Sequence, residues 1–295
     1  MNLGWIGTGV MGASMAGHLQ RAGHRLTIYT RSREKAAALL AGGATWAASP
    51  AAVAAESEVV FTIVGYPKDV EECYYGAHGI LSQSGCATRG CRMLIDMTTS
   101  PPSLAQRLAV SAQAKGLASL DAPVSGGDLG ARNAALAIMV GGDQASYDSA
   151  LPLFQLMGKN IALMGGPGAG QHTKMCNQIL IAGTMIGVCE SLLYAARQGL
   201  DQQAVIEIIG KGAASSWAIN NLGPRIVKGD YQPGFFVEHF VKDMEIALRE
   251  CEALNLALPG LALVHQLFLA LKAQGDARLG TQALILALRR LNGQA

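Results

Sequence analysis

The hydrophobic and polar positions of this chain keep two alternating periods in its first half and one in its second. The opening run, Asn2–Ile6, is short and apolar, breaks into glycines, and is followed by Met15, Leu19 and Ala22 at helical spacing. A second strand-like run covers Arg25–Tyr29. Helical and strand-like segments then alternate: a helix over 34–40, a strand over 44–46, a helix over Pro50–Ala55 and a fully apolar strand over 59–64. A helix over Pro67–Tyr75, a strand at Met93–Asp96, a strand ending at Leu120-Asp121, a strand over 137–140 and a last helix and strand within 151–163 complete the series. Strands and helices alternating at this spacing predict an α/β fold with a doubly wound parallel sheet covered on both faces. From Gly165-Gly166-Pro167-Gly168-Ala169-Gly170 the strand period disappears. A long apolar helix is predicted over 171–197, then shorter ones over Gln202–Ile209, 216–222, 237–251 and 261–273. The change of pattern sets a boundary between a domain of residues 1–166 and an all-α domain of 167–295.

The first turn of the chain carries its clearest candidate chemistry. Strand, Gly7-Thr8-Gly9-Val10-Met11-Gly12 and helix read as the dinucleotide-binding unit of a Rossmann domain, with an ordinary glycine turn as the alternative. There the first glycine permits the bend, the second lets a pyrophosphate approach the backbone, and the third packs helix against strand. Gly7, Gly9 and Gly12, with Val10 and Met11 between them, are therefore predicted cofactor contacts, the helix aiming free N–H groups and its positive dipole end at the phosphates. At the end of the second strand, where an acidic residue would accept from the ribose hydroxyls, stand Thr30, Arg31 and Ser32. Cationic and hydroxyl donors there suit a 2′-phosphate, so NADP(H) is favoured and NAD(H) remains possible. Arg33 and Lys35 either add to that pocket or are solvated helix-start charges. Val64, Gly65 and Tyr66, at the carboxyl edge of the sheet, are expected to run along the adenine and ribose. Thr99 is a cofactor contact, a cap before Pro101 and Pro102, or both.

Composition narrows the class. A chain of 295 residues fits two domains, and 50% hydrophobic with 15% charged residues describes much buried surface and hints at an oligomer interface. A formal charge of +2 with interspersed signs gives no basic stripe for a nucleic acid. No apolar run reaches 18 residues without polar interruption, and no basic leader opens the chain, so no membrane segment and a cytoplasmic location are expected. Cysteines at 73, 86, 91, 176, 189 and 251 show neither CxxC nor metal spacing, so free thiols and no metal are expected.

Two further constellations point to a reaction. Ser125-Gly126-Gly127 follows a strand end, and adjacent glycines leave backbone N–H groups open to a small carboxylate, with the Ser125 hydroxyl beside them. Lys174, at the start of the long helix, shares a face with Asn177 and Gln178. A cation is disfavoured by the dipole at that end, which makes the ammonium a better proton donor for a carbonyl becoming an alkoxide. Asn177 or Gln178 would orient the lysine or bind substrate oxygens. Lys242 and Asp243 are neighbours on a helix and point about 100° apart, so they are not expected to pair; solvated helix charges are the alternative reading.

With GWIGTGVMG at the start, DAPVSGG at 121 to 127, GPGAGQHTKMCNQ at 166 to 178 and Lys242-Asp243, the chain resembles the β-hydroxyacid dehydrogenase family over essentially its whole length. The family includes 3-hydroxyisobutyrate dehydrogenase, tartronate semialdehyde reductase and glyoxylate/succinic semialdehyde reductases. The resemblance implies a long interdomain helix between the two domains and a homodimer or homotetramer built through the helical one. It also implies Ser125, Gly126 and Gly127 as the carboxylate site, Lys174 as catalytic acid/base, and Asn177 and Gln178 as substrate contacts. Thr99 and Lys242 would contact the cofactor, and Phe235 and Asp243 would be further active-site positions. Ala134 and Ala135 stand where the family commonly has glycine and threonine, a departure touching only loop shape. Arg31 with Ser32 matches the NADP-preferring branch. The expected activity is hydride transfer between a nicotinamide cofactor and a short 3-hydroxy acid or its semialdehyde or 2-oxo acid. The alternatives are an imine reductase on the same fold and a catalytically silent NADP-binding scaffold.

Overall fold

The structure, a computed structural model, describes residues 1–82 and 90–294, so Cys86 lies outside the described residues. The first stretch runs β1 (Asn2–Ile6), α1 (Gly12–Arg21), β2 (Arg25–Tyr29), α2 (Ala37–Ala41), β3 (Thr45–Trp46), α3 (Pro50–Ala55), β4 (Val59–Thr62) and α4 (Pro67–Tyr75). It continues with β5 (Met93–Asp96), α5 (Pro102–Gln113), β6 (Ala118–Asp121), β7 (Val124–Ser125), α6 (Gly127–Arg132), β8 (Leu136–Gly141), α7 (Gln144–Gln155) and β9 (Gly158–Gly165). The rest is helical: α8 (Ala169–Arg197), α9 (Gln202–Ile209), α10 (Trp217–Asn221), α11 (Gly223–Val227), α12 (Val237–Ala253), α13 (Pro259–Ala273) and α14 (Leu284–Leu291). Contacts divide the chain into Met1–Lys174 and Met175–Ala295. The division falls inside α8, eight residues beyond the change of sequence pattern at 166, because the first turns of this helix are bonded to the sheet.

The sheet of the first unit has the order β3-β2-β1-β4-β5-β6-β8-β7, with β9 beside β8. Its first six strands are parallel, as their near-continuous apolar runs predict for strands buried on both faces. Alternate residues serve opposite cores. Leu3, Trp5, Phe61 and Ile95 join one, while Ile6, Val60 and Leu94 join the other beneath α3, α4 and α5. Beyond β6 the direction changes: β8 is antiparallel to β6 and β7, and β9 runs parallel to β8. The short β7 was not visible in the sequence, since two residues carry no period. Residues 34–40, expected as one helix, split into a 3-10 turn over Arg33–Ala36 and α2.

The second unit packs around Phe240, Met244, Phe268 and Leu284. Its α12 carries an apolar stripe of Val237, Phe240, Val241, Met244 and Ala247 against α13, and Phe240 meets Phe268 edge-on with centroids 5.1 Å apart.

Candidate active site

The glycine turn is shaped by what lies beneath it. Trp5, fully buried, stacks on Phe61 with centroids 5.4 Å apart and donates its indole N–H to the Gly7 carbonyl at 2.8 Å. Gly7 takes φ +98° and donates its own N–H to the Tyr29 carbonyl at 2.9 Å, tying the turn to the end of β2. A side chain at Gly7 would drive into the Ile63 carbonyl, and one at Gly12 into the Gly7 carbonyl, whereas a Cβ at Gly9 would meet nothing within 4 Å. Among the described residues the amides of Val10, Met11 and Gly12 have no acceptor, and the Thr8 hydroxyl, 2% exposed, has no partner. Free donors at a helix start under open volume fit a pyrophosphate, so the residues present suit a dinucleotide.

The neighbouring strand ends continue this edge. Thr30 and Arg31 follow β2, and the Arg31 guanidinium meets Asp69 of α4 with Nη1 3.1 Å from Oδ1 and Nη2 3.5 Å from Oδ2. Ser32 occupies the cap position of the 3-10 turn in an extended conformation, yet its side chain makes no cap bond. Arg33 leaves the group, its guanidinium lying over the Trp46 ring at 5.4 Å, and Lys35 stays exposed. After β4, the Val64 N–H donates to the Thr98 hydroxyl at 3.0 Å, and Gly65 and Tyr66 lead into α4. Thr99 is not a helix cap: Pro101 holds that position for α5 and no side chain bonds there.

The proton-donor candidate is brought onto the candidate carboxylate cradle. Lys174, 6% exposed, donates from Nζ to the Val124 carbonyl at 2.8 Å, immediately before Ser125, Gly126 and Gly127. Gly126 and Gly127 take φ +133° and +63°, and α6 begins at Gly127. Lys174 is the sixth residue of α8, which starts at Ala169, so it stands in the second turn and not the first. The glycines of 165–170 read as a loop, but Ala169 and Gly170 already belong to the helix.

Two residues that the sequence left without a role hold this helix in place. The buried Asp121 carboxylate, at the end of β6, accepts from the Gly168 N–H at 2.7 Å through Oδ1 and from the Gln171 N–H at 2.9 Å through Oδ2. Burial pushes its pKa up, and the amides of Gly168, Gln171 and Gly170 pull against that rise. Gln171, fully buried, donates from Nε2 to the Thr98 carbonyl at 2.7 Å and accepts the Ser100 N–H on Oε1 at 3.0 Å. An acidic residue at a central strand end is a visible signal, but its partner lies 47 residues away.

In the second unit four expected residues form one cluster. Asn177 donates to Gln178 Oε1 at 2.7 Å, Gln178 donates to Asp243 Oδ2 at 2.6 Å, and Lys242 Nζ lies 2.8 Å from Asp243 Oδ1. This corrects the expectation that Lys242 and Asp243 do not pair. The four-carbon lysine stem folds back to its neighbour, giving a buried ion pair whose angle is not that of a hydrogen bond. Phe235 lies beside Phe240 and His239, with centroids 5.8 and 6.5 Å away.

A glycine turn of this shape on a doubly wound sheet, followed by a helical unit, defines an NAD(P)-binding oxidoreductase. Residues 2–166 match the family model for the NAD binding domain of 6-phosphogluconate dehydrogenase, and residues 168–288 the model described as NAD-binding of NADP-dependent 3-hydroxyisobutyrate dehydrogenase. The chain is 53% identical over 293 residues to the probable 3-hydroxyisobutyrate dehydrogenase-like 1, mitochondrial, of Arabidopsis thaliana, covering 98% of this chain and 86% of that one. It is 40% identical over 288 residues to the 2-hydroxy-3-oxopropionate reductase of Escherichia coli, covering 98% and 97%. The solved Mycobacterium tuberculosis 3-hydroxyisobutyrate dehydrogenase with L-serine has a TM-score of 0.85 and 30% identity, covering 98% of this chain and 99% of that one. The chain belongs to the β-hydroxyacid dehydrogenase family and is an NAD(P)-dependent enzyme of hydroxy-acid dehydrogenase type.

The glycines separate folding from binding. Gly12→Ala should destabilise the fold by about 1–3 kcal/mol, because its methyl meets backbone. Gly9→Ala should leave the melting temperature near that of the wild type and weaken NADPH binding by at least about tenfold, read by thermal denaturation and fluorescence titration. Undiminished binding by the Gly9 variant would refute the pyrophosphate assignment.

Proposed function

We propose that this enzyme prefers NADP(H) and interconverts a short 3-hydroxy acid with its semialdehyde, or a 2-hydroxy acid with its 2-oxo acid. The observation that carries the reading is the contact between Lys174 Nζ and the Val124 carbonyl, which holds a buried amine next to Ser125-Gly126-Gly127. The open amides of Gly126 and Gly127 and the Ser125 hydroxyl bind the substrate carboxylate. An acid anchored there keeps its carbonyl within a few bonds of the amine, so short chains are favoured. Lys174 gives a proton to the developing alkoxide in reduction and takes it from the hydroxyl in oxidation. A bound nicotinamide supplies or accepts the hydride.

Preference for NADP rests on the end of β2. Arg31 presents its Nη1–Nη2 edge to Asp69, and its Nε edge bonds to no group among the described residues. A planar fork with one edge held and one open suits a phosphate monoester. The uncommitted Ser32 hydroxyl stands next to it.

Self-association through the helical unit is also proposed. The most apolar 18-residue stretch of α8 has mean hydropathy 1.8 and is only 33% buried, and Leu180 and Tyr194 are 71% and 66% exposed. Apolar area of that kind on a monomer is ordinarily covered by another copy.

Lys174→Ala should lower kcat by about 10²- to 10⁴-fold and change the Kd for NADPH by less than about threefold. The assay is NADPH oxidation with glyoxylate, succinic, methylmalonate and tartronate semialdehydes and a cyclic imine. Turnover of the imine alone would overturn the acid-substrate reading, and turnover of none would favour a silent scaffold. Arg31→Ala should cost NADPH about 10- to 100-fold in kcat/KM and leave NADH nearly unchanged. Light scattering should give a multiple of the 30.7 kDa chain mass, and Leu180→Glu should lower it without lowering the monomer's stability.

A further inference from the structure

We propose that Gln171 is a positioning residue for the proton transfer: its side-chain amide clamps the loop after β5 to the helix that carries Lys174. The inference rests on the proton-donor reading of Lys174.

Every polar group of Gln171 except its own carbonyl is committed across the fold. Its backbone N–H goes to Asp121 at the end of β6, its Nε2 to the Thr98 carbonyl, and its Oε1 to the Ser100 N–H. Thr98 passes the connection on, since its hydroxyl accepts from the Val64 N–H at 3.0 Å and its own N–H donates to Asp96 Oδ1 at 3.0 Å. The chain of bonds therefore runs from the end of β4 through the loop of Thr98, Thr99 and Ser100 to the first turn of α8. Lys174 follows Gln171 by three residues and stands one turn along the helix, so movement of the clamp is carried to the amine.

An apolar side chain of the same size would fill this space, which has no access to solvent. Packing alone does not call for an amide. What the amide adds is direction, because one donor and one acceptor fixed to two peptide groups of the same loop admit a single orientation of loop on helix. That loop carries Thr99 and is bonded to Val64, both assigned to the cofactor side. The clamp thus sets the spacing between cofactor loop and proton donor, and misplacement of a reacting group by about 1 Å costs on the order of 100-fold in rate.

The test uses two variants beside Lys174→Ala. Gln171→Leu should lower kcat by about 10- to 100-fold, change the Kd for NADPH by less than about threefold, and speed hydrogen exchange at the Ser100 amide. Gln171→Glu supplies a reading that loss of packing would not move. Protonated, the introduced carboxyl reproduces the amide, accepting from Ser100 and donating to Thr98; ionised, it faces the Thr98 carbonyl with no proton to give. Burial and the Asp121 carboxylate raise its pKa, with Lys174 acting against them. The ratio of its kcat to that of the wild type, measured pH by pH, should approach one at low pH and fall about tenfold or more as pH rises. A flat ratio, or a folded Gln171→Leu enzyme whose kcat stays within about twofold of wild type, would overturn the clamp. Should Gln171→Leu fail to fold, the pH ratio alone decides. Unimpaired turnover by Lys174→Ala would instead sink the proton-donor reading, while loss there with both Gln171 variants unaffected would sink the clamp alone.

Discussion

The carboxylate of Asp121 closes the end of β6 onto the first turn of α8, and the placement of Lys174 depends on that junction. A helix start leaves N–H groups without partners, and a buried one must be given acceptors by the fold. Here one carboxylate takes the amides of Gly168 and Gln171. Close approach is possible because Gly141 and Gly170 have no side chains: a Cβ on Gly141 would lie 2.5 Å from the Asp121 carboxylate, and one on Gly170 would lie 2.7 Å from its carbonyl. Three residues past Asp121 the same strand-end segment offers the Val124 carbonyl to Lys174. A single stretch of four residues therefore sets both where the helix begins and where its amine ends.

Most of the fold was legible where residues repeat. The parallel strands announced themselves because both faces are buried, so Val59, Val60 and Phe61 could all be apolar. The reversal at β8 and the two-residue β7 left no such mark. In the helical half α12 shows from its stripe, while α11 and α14, and in the first half α5 with its buried Leu104, Leu108 and Ala112, have no counterpart among the helices expected from the sequence. The glycine turn could be read residue by residue because Gly7 and Gly12 each answer a separate steric demand, while Gly9 leaves the volume above the turn open.

The candidate site was legible in its parts and less so in its connections. Local spacing names Lys174 and Ser125, and the structure sets the Lys174 amine against the residue before Ser125. Asp121 and Gln171 could not be given roles, because their bonds join segments 47 to 73 residues apart. The Lys242–Asp243 pair shows the opposite failure. Helical geometry argued the two apart, yet a long flexible stem and a carboxylate already anchored by Gln178 brought them together.

The acceptor of the Lys174 bond is a peptide oxygen and not a side chain. Mutation at position 124 can alter bulk or polarity but cannot delete that oxygen, so this contact of the amine is shielded from the genetic code. The side chain at 124 can therefore vary in size around the amine while the oxygen that meets it stays where the backbone of β7 puts it.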